Sequence, residues 1–223
     1  MTSTTYPTSG SAPALTFSQR LRKETMRPHR EAESEPFIVD LMAGRLNRGA
    51  YRALLEQYAV LYPTLEAAVA AQPADSVLAP FDHPGLHRTA ALNADLDALS
   101  GTDRTPPVAL PATRALAERF SSGLAPERLL AHHYLRYLGD LSGGLAIGKL
   151  VSRHYGIEPE ALSMWRFAGI DKPKVFKDGY RAHLDAAPLN PEQQDALIDE
   201  AAIGYQMNQT IFRELGHTLT TPV

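Results

Sequence analysis

The chain has 223 residues, with 22 lysines and arginines against 25 aspartates and glutamates, and no cysteine. That length suits one domain with a substantial core, the slight acidity gives no reason to expect nucleic acid as a partner, and the missing thiols exclude disulfides, zinc–thiolate clusters and iron–sulfur ligation. Outside the amino-terminal tail the longest uncharged run is Ala201 to Phe212, far short of the ~20 apolar residues that a spanning helix needs, so no membrane crossing is expected.

Residues 1–16 carry neither positive charge nor an apolar block and read as a flexible tail, not a secretory signal. From Phe17 onward helical periodicity dominates, and no period-2 segment is bounded by turn signals. The expectation is an all-α, single compact domain of about eight helices over residues 17–217, with a short tail at 218–223. Helices are predicted over Phe17–Glu33, Phe37–Ala43, Arg48–Ala71, Leu86–Ser100, Ala109–Ser122, Pro126–Tyr155, Lys174–Ala186 and Glu192–His217. Pro36, Pro73, Pro107, Pro111, Pro126, Pro159, Pro173 and Pro188 fall at or near their boundaries, where a residue lacking N–H is tolerated. Pro63 lies inside the Arg48–Ala71 pattern and predicts a kink there. The segments 74–83 and 101–107, rich in Pro, Gly, Asp and Thr, read as surface connections.

The most informative segment is Arg136 to Lys149, which places Gly139, Gly143, Gly144, Gly148 and Asp140 inside a long helix. Each glycine costs roughly 0.8–1.0 kcal/mol against alanine in a helix interior, so some neighbour must need bare backbone. Gly139 with Gly143, and Gly144 with Gly148, are spaced by four, which suggests two bare patches along one side of the helix. Either a flat ligand or a closely packed helix would use them. Residues 143–149 fit P-loop spacing, but Leu150 replaces the Ser or Thr that would hold magnesium and no strand precedes the glycines, so that reading fails. Charged neighbours Arg136, Asp140 and Lys149 count against a membrane Gly-xxx-Gly dimer. Asp140 must be solvated, paired or functional, because a bare buried carboxylate costs several kcal/mol.

His29 lies four residues before Glu33, so the carboxylate can reach one imidazole nitrogen while the other faces a metal, although a partly buried polar residue would satisfy the same pattern. His83 and His87 have ligand spacing but sit beside a Pro-Gly turn, and the adjacent His132 and His133 point apart and cannot chelate together. Lys177 and Arg181 share a helix face, with Lys174 nearby and Arg22 ahead of His29; they form either a solvated face or, if they converge, a set suited to ligand carboxylates.

Together these segments resemble the heme oxygenase family. Arg136-Tyr-Leu-Gly-Asp-Leu-Ser-Gly-Gly144 is similar to that family's distal-helix signature, and His29 with Ala32 and Glu33 to its proximal-histidine segment. The likeness continues through Phe37, residues 58–66, residues 176–181 and residues 208–215. The resemblance implies that His29 is the axial ligand of heme iron, that Glu33 contacts its second nitrogen, and that Gly139 and Gly143 meet the opposite heme face. It implies further that Asp140 organises water beside oxygen, with Tyr62, Arg136 and Asn208 in the distal hydrogen-bond network. Arg22, Lys177 and Arg181 match residues that meet the propionates, and Tyr134 lies near the same edge. Leu145 stands where a glutamine often follows the glycines, and Leu135 replaces a small polar residue.

The implied activity is cleavage of heme, both cofactor and substrate, by O2 and electrons to biliverdin (IXα), carbon monoxide and ferrous iron. Electrons would come from a ferredoxin, a flavodoxin or a reductase, and the protein would be a soluble, cytoplasmic, bacterial-type monomer without a hydrophobic carboxyl-terminal anchor. The alternatives are a heme carrier or sensor without turnover and, more distantly, a helical enzyme acting on an iron-free cofactor precursor.

Overall fold

The computed structural model describes residues 15–101 and 104–220. The tail expected over residues 1–16 falls outside them up to residue 14, as does the end of the segment expected over 218–223. Nine α-helices account for nearly all regular structure among the described residues: α1 Phe17–Glu24, α2 Met26–Glu33, α3 Pro36–Met42, α4 Arg48–Ala70, α5 Thr89–Ser100, α6 Pro111–Ser121, α7 Pro126–Tyr155, α8 Pro173–Ala186 and α9 Pro191–Thr220.

The single helix expected over 17–33 is two helices, and Pro28 explains the break. In a continuous helix its missing N–H would leave the Glu24 carbonyl unpaired and its ring would press on that carbonyl, so α1 ends at Glu24. Thr25 closes α1 by bonding the Leu21 carbonyl through its N–H at 3.0 Å and through Oγ1 at 2.7 Å, and its own carbonyl accepts from His29 N–H at 3.1 Å. Pro63 does not break α4, which continues through it, held on its inner face by Leu54, Tyr58, Leu61, Tyr62 and Leu65, all buried. Short 3-10 turns at Pro84–Leu86, Pro159–Ala161 and Ser163–Trp165 shape the connections.

The long helices α7 and α9 pack on each other at the centre, α4 lies against α5, α6 and α7, and α2 rests on α9. Close approach of α7 to α9 depends on Gly204, where an added Cβ would stand 2.5 Å from Leu135 Cδ1 and 3.1 Å from His132 Nδ1. The connection between α7 and α8 is clamped from two sides. Asp95 accepts from the backbone N–H groups of Ser163 and Met164 at 2.7 and 2.8 Å. The buried Arg88 guanidinium donates to the carbonyls of Gly85, Leu86, Met164 and Arg166 and stacks on Phe167 at 4.0 Å. This clamp fixes Trp165 beneath α7.

Candidate active site

A cleft of about 260 Å3 opens between the α1–α2 corner and α7. Arg22, Thr25, Met26 and His29 form one wall, Tyr134, Leu135, Leu138, Gly139 and Ser142 the other, and Arg181 and Tyr205 close it from α8 and α9. His29 is partly exposed; its Nε2 stands 3.3 Å from Glu33 Oε1, and its ring meets the edge of Tyr205 at 5.2 Å. Nδ1 has no partner among the described residues, so the imidazole can offer a lone pair while Glu33 holds its other nitrogen.

The four glycines divide into two pairs on different sides of α7, which corrects the expectation of a single bare side. At 3.6 residues per turn Gly139 and Gly144 are about 140° apart. A Cβ at Gly139 would meet nothing within 4 Å, and one at Gly143 would only touch Ile147 Cδ1 at 4.0 Å. At Gly144 and Gly148 it would press on Trp165, at 3.0 and 3.3 Å. The first pair leaves open space beside the cleft, and the second admits an indole.

Asp140 is held from behind. Tyr62 Oη donates to its Oδ2 at 2.5 Å, Arg136 donates to Asn208 Oδ1, and the Arg136 guanidinium lies over the rings of Tyr58 and Tyr62 at 5.3 and 5.8 Å. Burial pushes the Asp140 carboxyl up to about 6, with the Tyr62 hydrogen bond and the positive charges of Arg136 and Arg88 partly offsetting it. Burial likewise raises the Tyr62 hydroxyl well above its usual range, reinforced by Asp140, so Tyr62 remains a donor. Asp140 opens onto a neighbouring cavity of about 320 Å3 with Leu141, Leu145, Phe167 and Ile170, while the adjacent Gly139 faces the His29 cleft.

Cations gather at the cleft. Arg22 and Arg181 line it directly, and both act to lower the Tyr134 hydroxyl against a larger rise from burial. Arg181 also pairs with Asp178 at 2.8 Å. Lys177 donates to Ser142, a residue of the α7 wall, at 3.2 Å. Away from the site, His83 accepts from Gly85 N–H, His87 pairs with Asp82 at 2.9 Å, and His132 and His133 turn to Glu200 and Tyr180. No group of three or more histidines and carboxylates that could hold a bare metal ion occurs among the described residues.

Sequence reasoning missed Leu138 and Ser142, although the steps 134, 138, 142 and 135, 139 on one helix face carried that information. Tyr205 had no such signal, since it reaches His29 only through the packing of α9 on α2.

The fold and cleft therefore define an all-helical protein built for a planar, largely apolar ligand with acidic edges and a centre that a histidine can ligate. The heme oxygenase family model matches residues 15–214, and the chain belongs to that family of heme-degrading enzymes. It is 32% identical to heme oxygenase 1 of Rattus norvegicus over 92% of this chain and 73% of the rat protein. The crystal structure of heme oxygenase-1 from Synechocystis in complex with heme superposes with a TM-score of 0.87 at 30% identity, covering 92% of this chain and 94% of that one. Heme oxygenase from Leptospira interrogans gives 0.85 at 34% identity, covering 90% and 100%. No helix among the described residues is long and apolar enough to cross a membrane.

Proposed function

We propose that the chain binds heme in the His29 cleft and cleaves it, with O2 and electrons from a ferredoxin, flavodoxin or reductase, to biliverdin IXα, carbon monoxide and ferrous iron. In this reading it works as a cytoplasmic monomer whose catalytic unit spans residues 17–217. The observation that carries it is the juxtaposition on α7 of an open backbone face at Gly139, shared with the His29 cleft, and a half-buried carboxyl at Asp140 that Tyr62 holds and burial pushes up to about 6. A carrier or sensor needs the histidine but has no use for the second feature.

Heme, when bound, supplies the iron at which oxygen is activated, and its ring is the material consumed. His29 ligates that iron and Glu33 keeps its imidazole oriented. Met26, Leu135 and Leu138 exclude water from the ring faces, while Arg22, Arg181 and Lys177 meet the two propionates and set the rotation of the ring in the cleft. Gly139 and Gly143 keep the opposite face low and clear. Asp140, with Tyr62 donating to it, holds the water that delivers a proton, and a carboxyl near 6 can both take up and release that proton at neutral pH. Arg136, Asn208 and Tyr134 fix the surrounding network.

Hemin and a reductant added in air test the proposal. Turnover removes the Soret band and raises a red absorption, whereas a stable spectrum means storage. Asp140→Ala is expected to slow biliverdin formation about 100-fold or more, and His29→Ala to alter the ferric Soret spectrum. An unchanged spectrum would move the axial ligand elsewhere.

A further inference from the structure

Further along α7, toward its carboxyl-terminal end, lies a groove of about 410 Å3 that the reaction does not use. Its floor is apolar: Leu145, Gly148, Leu162 and the indole of Trp165. Lys149, Arg153 and Arg166 stand around it, and no carboxylate lines it. Lys149 and Arg153 are exposed and form no ion pair among the described residues, while Arg166 binds only the Pro159 carbonyl through its side chain. Leu145 is 56% exposed, one of few large apolar side chains left in solvent.

An apolar floor beneath three cations complements an apolar molecule with more than one carboxylate. The groove also shares Leu145, Trp165 and Arg166 with the cavity onto which Asp140 opens, so its occupant would press on a wall of that cavity. Heme cleavage, the function proposed above, yields an apolar dicarboxylate of this kind. We propose that this groove is a second binding site, for the linear tetrapyrrole dicarboxylate that the enzyme forms, with Lys149, Arg153 and Arg166 meeting its carboxylates and Trp165 its rings. The choice of ligand rests on the heme-cleaving function proposed above.

Such a site would hold product beside the cavity onto which Asp140 opens after the cleft has emptied. Gly144 and Gly148 would then serve it, because they let Trp165 lie close enough to α7 to form the floor.

The test fills the main cleft first with cobalt(III) protoporphyrin, which is diamagnetic and is not cleaved, and then titrates biliverdin into the complex. The chain has one tryptophan, so its indole N–H gives a single assignable resonance in a 15N-resolved spectrum. The expected result is saturable movement of that resonance and of the Gly148 amide, with one biliverdin bound per complex by calorimetry. In Lys149→Glu/Arg153→Glu binding weakens at least about tenfold, with the porphyrin still bound as in the parent. No saturable movement, unchanged affinity in the double variant, or movement with laurate and not with biliverdin would overturn the proposal. Failure of cobalt protoporphyrin to bind would instead count against the assignment of the main cleft.

Discussion

Asp140 is held in its ionised form at a cost. Burial lifts its carboxyl to about 6 despite the Tyr62 hydroxyl and the charges of Arg136 and Arg88, so at pH 7 the folded protein keeps mostly ionised a group whose surroundings favour the proton. A folded-state value above the ordinary one means that folding is penalised once the pH exceeds the unfolded value of 3.8, with the penalty complete above about 6. Asp140→Asn removes it while leaving an amide oxygen to accept from Tyr62. Thermal unfolding at pH 7 should therefore show a more stable variant, by on the order of 1–3 kcal/mol. The advantage should shrink as the pH falls through 6 and vanish near 4, while biliverdin formation is lost. Stability and turnover pull in opposite directions here, and a variant less stable than the parent at pH 7 would refute the burial argument.

At the scale of one element, α7 sets identical residues to opposite tasks. Gly139→Ala adds a Cβ that meets nothing within 4 Å, so the ligand-free protein should gain the helix propensity of alanine, about 0.8–1.0 kcal/mol or roughly 2–4 °C in Tm. Gly144→Ala drives a Cβ to 3.0 Å from Trp165 Cε3; the indole must move, and overpacking of this kind costs about 1–3 kcal/mol, so Tm should fall and the Trp165 emission should change. Equal Tm shifts would show that the two pairs do not differ. This division also marks how far the sequence could be read. The helix, its cost and the isolation of Asp140 were visible in residues 136–149. The partner of each glycine was not, because Trp165 arrives through a connection clamped by Asp95 and Arg88, contacts that no periodicity encodes. Pro28 shows the opposite case, a signal present in the sequence whose consequence, the corner before His29, follows from one missing N–H. The cations at the cleft lay between: their spacing on α8 was legible, but their convergence with Arg22 required the tertiary fold.

The whole molecule depends on how α6, α7 and α9 are tied together, because α7 carries most of the cleft wall opposite His29 and α9 brings Tyr205 against His29. One fully buried carboxylate does much of this. Glu200 on α9 accepts from Arg119 of α6 at 2.5 and 2.6 Å, from Arg128 of α7 at 3.1 Å and from His132 of α7 at 2.7 Å. Burial opposes its ionisation, yet the hydrogen bonds from Arg119 and His132 outweigh that and hold the carboxyl far below its ordinary range. A depressed folded-state value stabilises the fold above the unfolded value of 4.5, and this contribution is lost as the pH falls below it. Glu200→Gln leaves the cations without their counter-charge, a change that costs about 3–5 kcal/mol when the pair is buried. Arg119 and Arg128 keep access to solvent at 32% and 37% exposure, which places the expected loss near the lower bound, about 3 kcal/mol. Denaturant unfolding at pH 7 should show that loss, and the gap between variant and parent should close progressively below pH 4.5. Loosening α7 against α9 also opens the floor beneath Leu135 and Gly204, so the variant should bind hemin more weakly although Glu200 does not line the cleft. A Glu200→Gln protein with unchanged stability and hemin affinity would show that apolar packing between α7 and α9 suffices to hold the site.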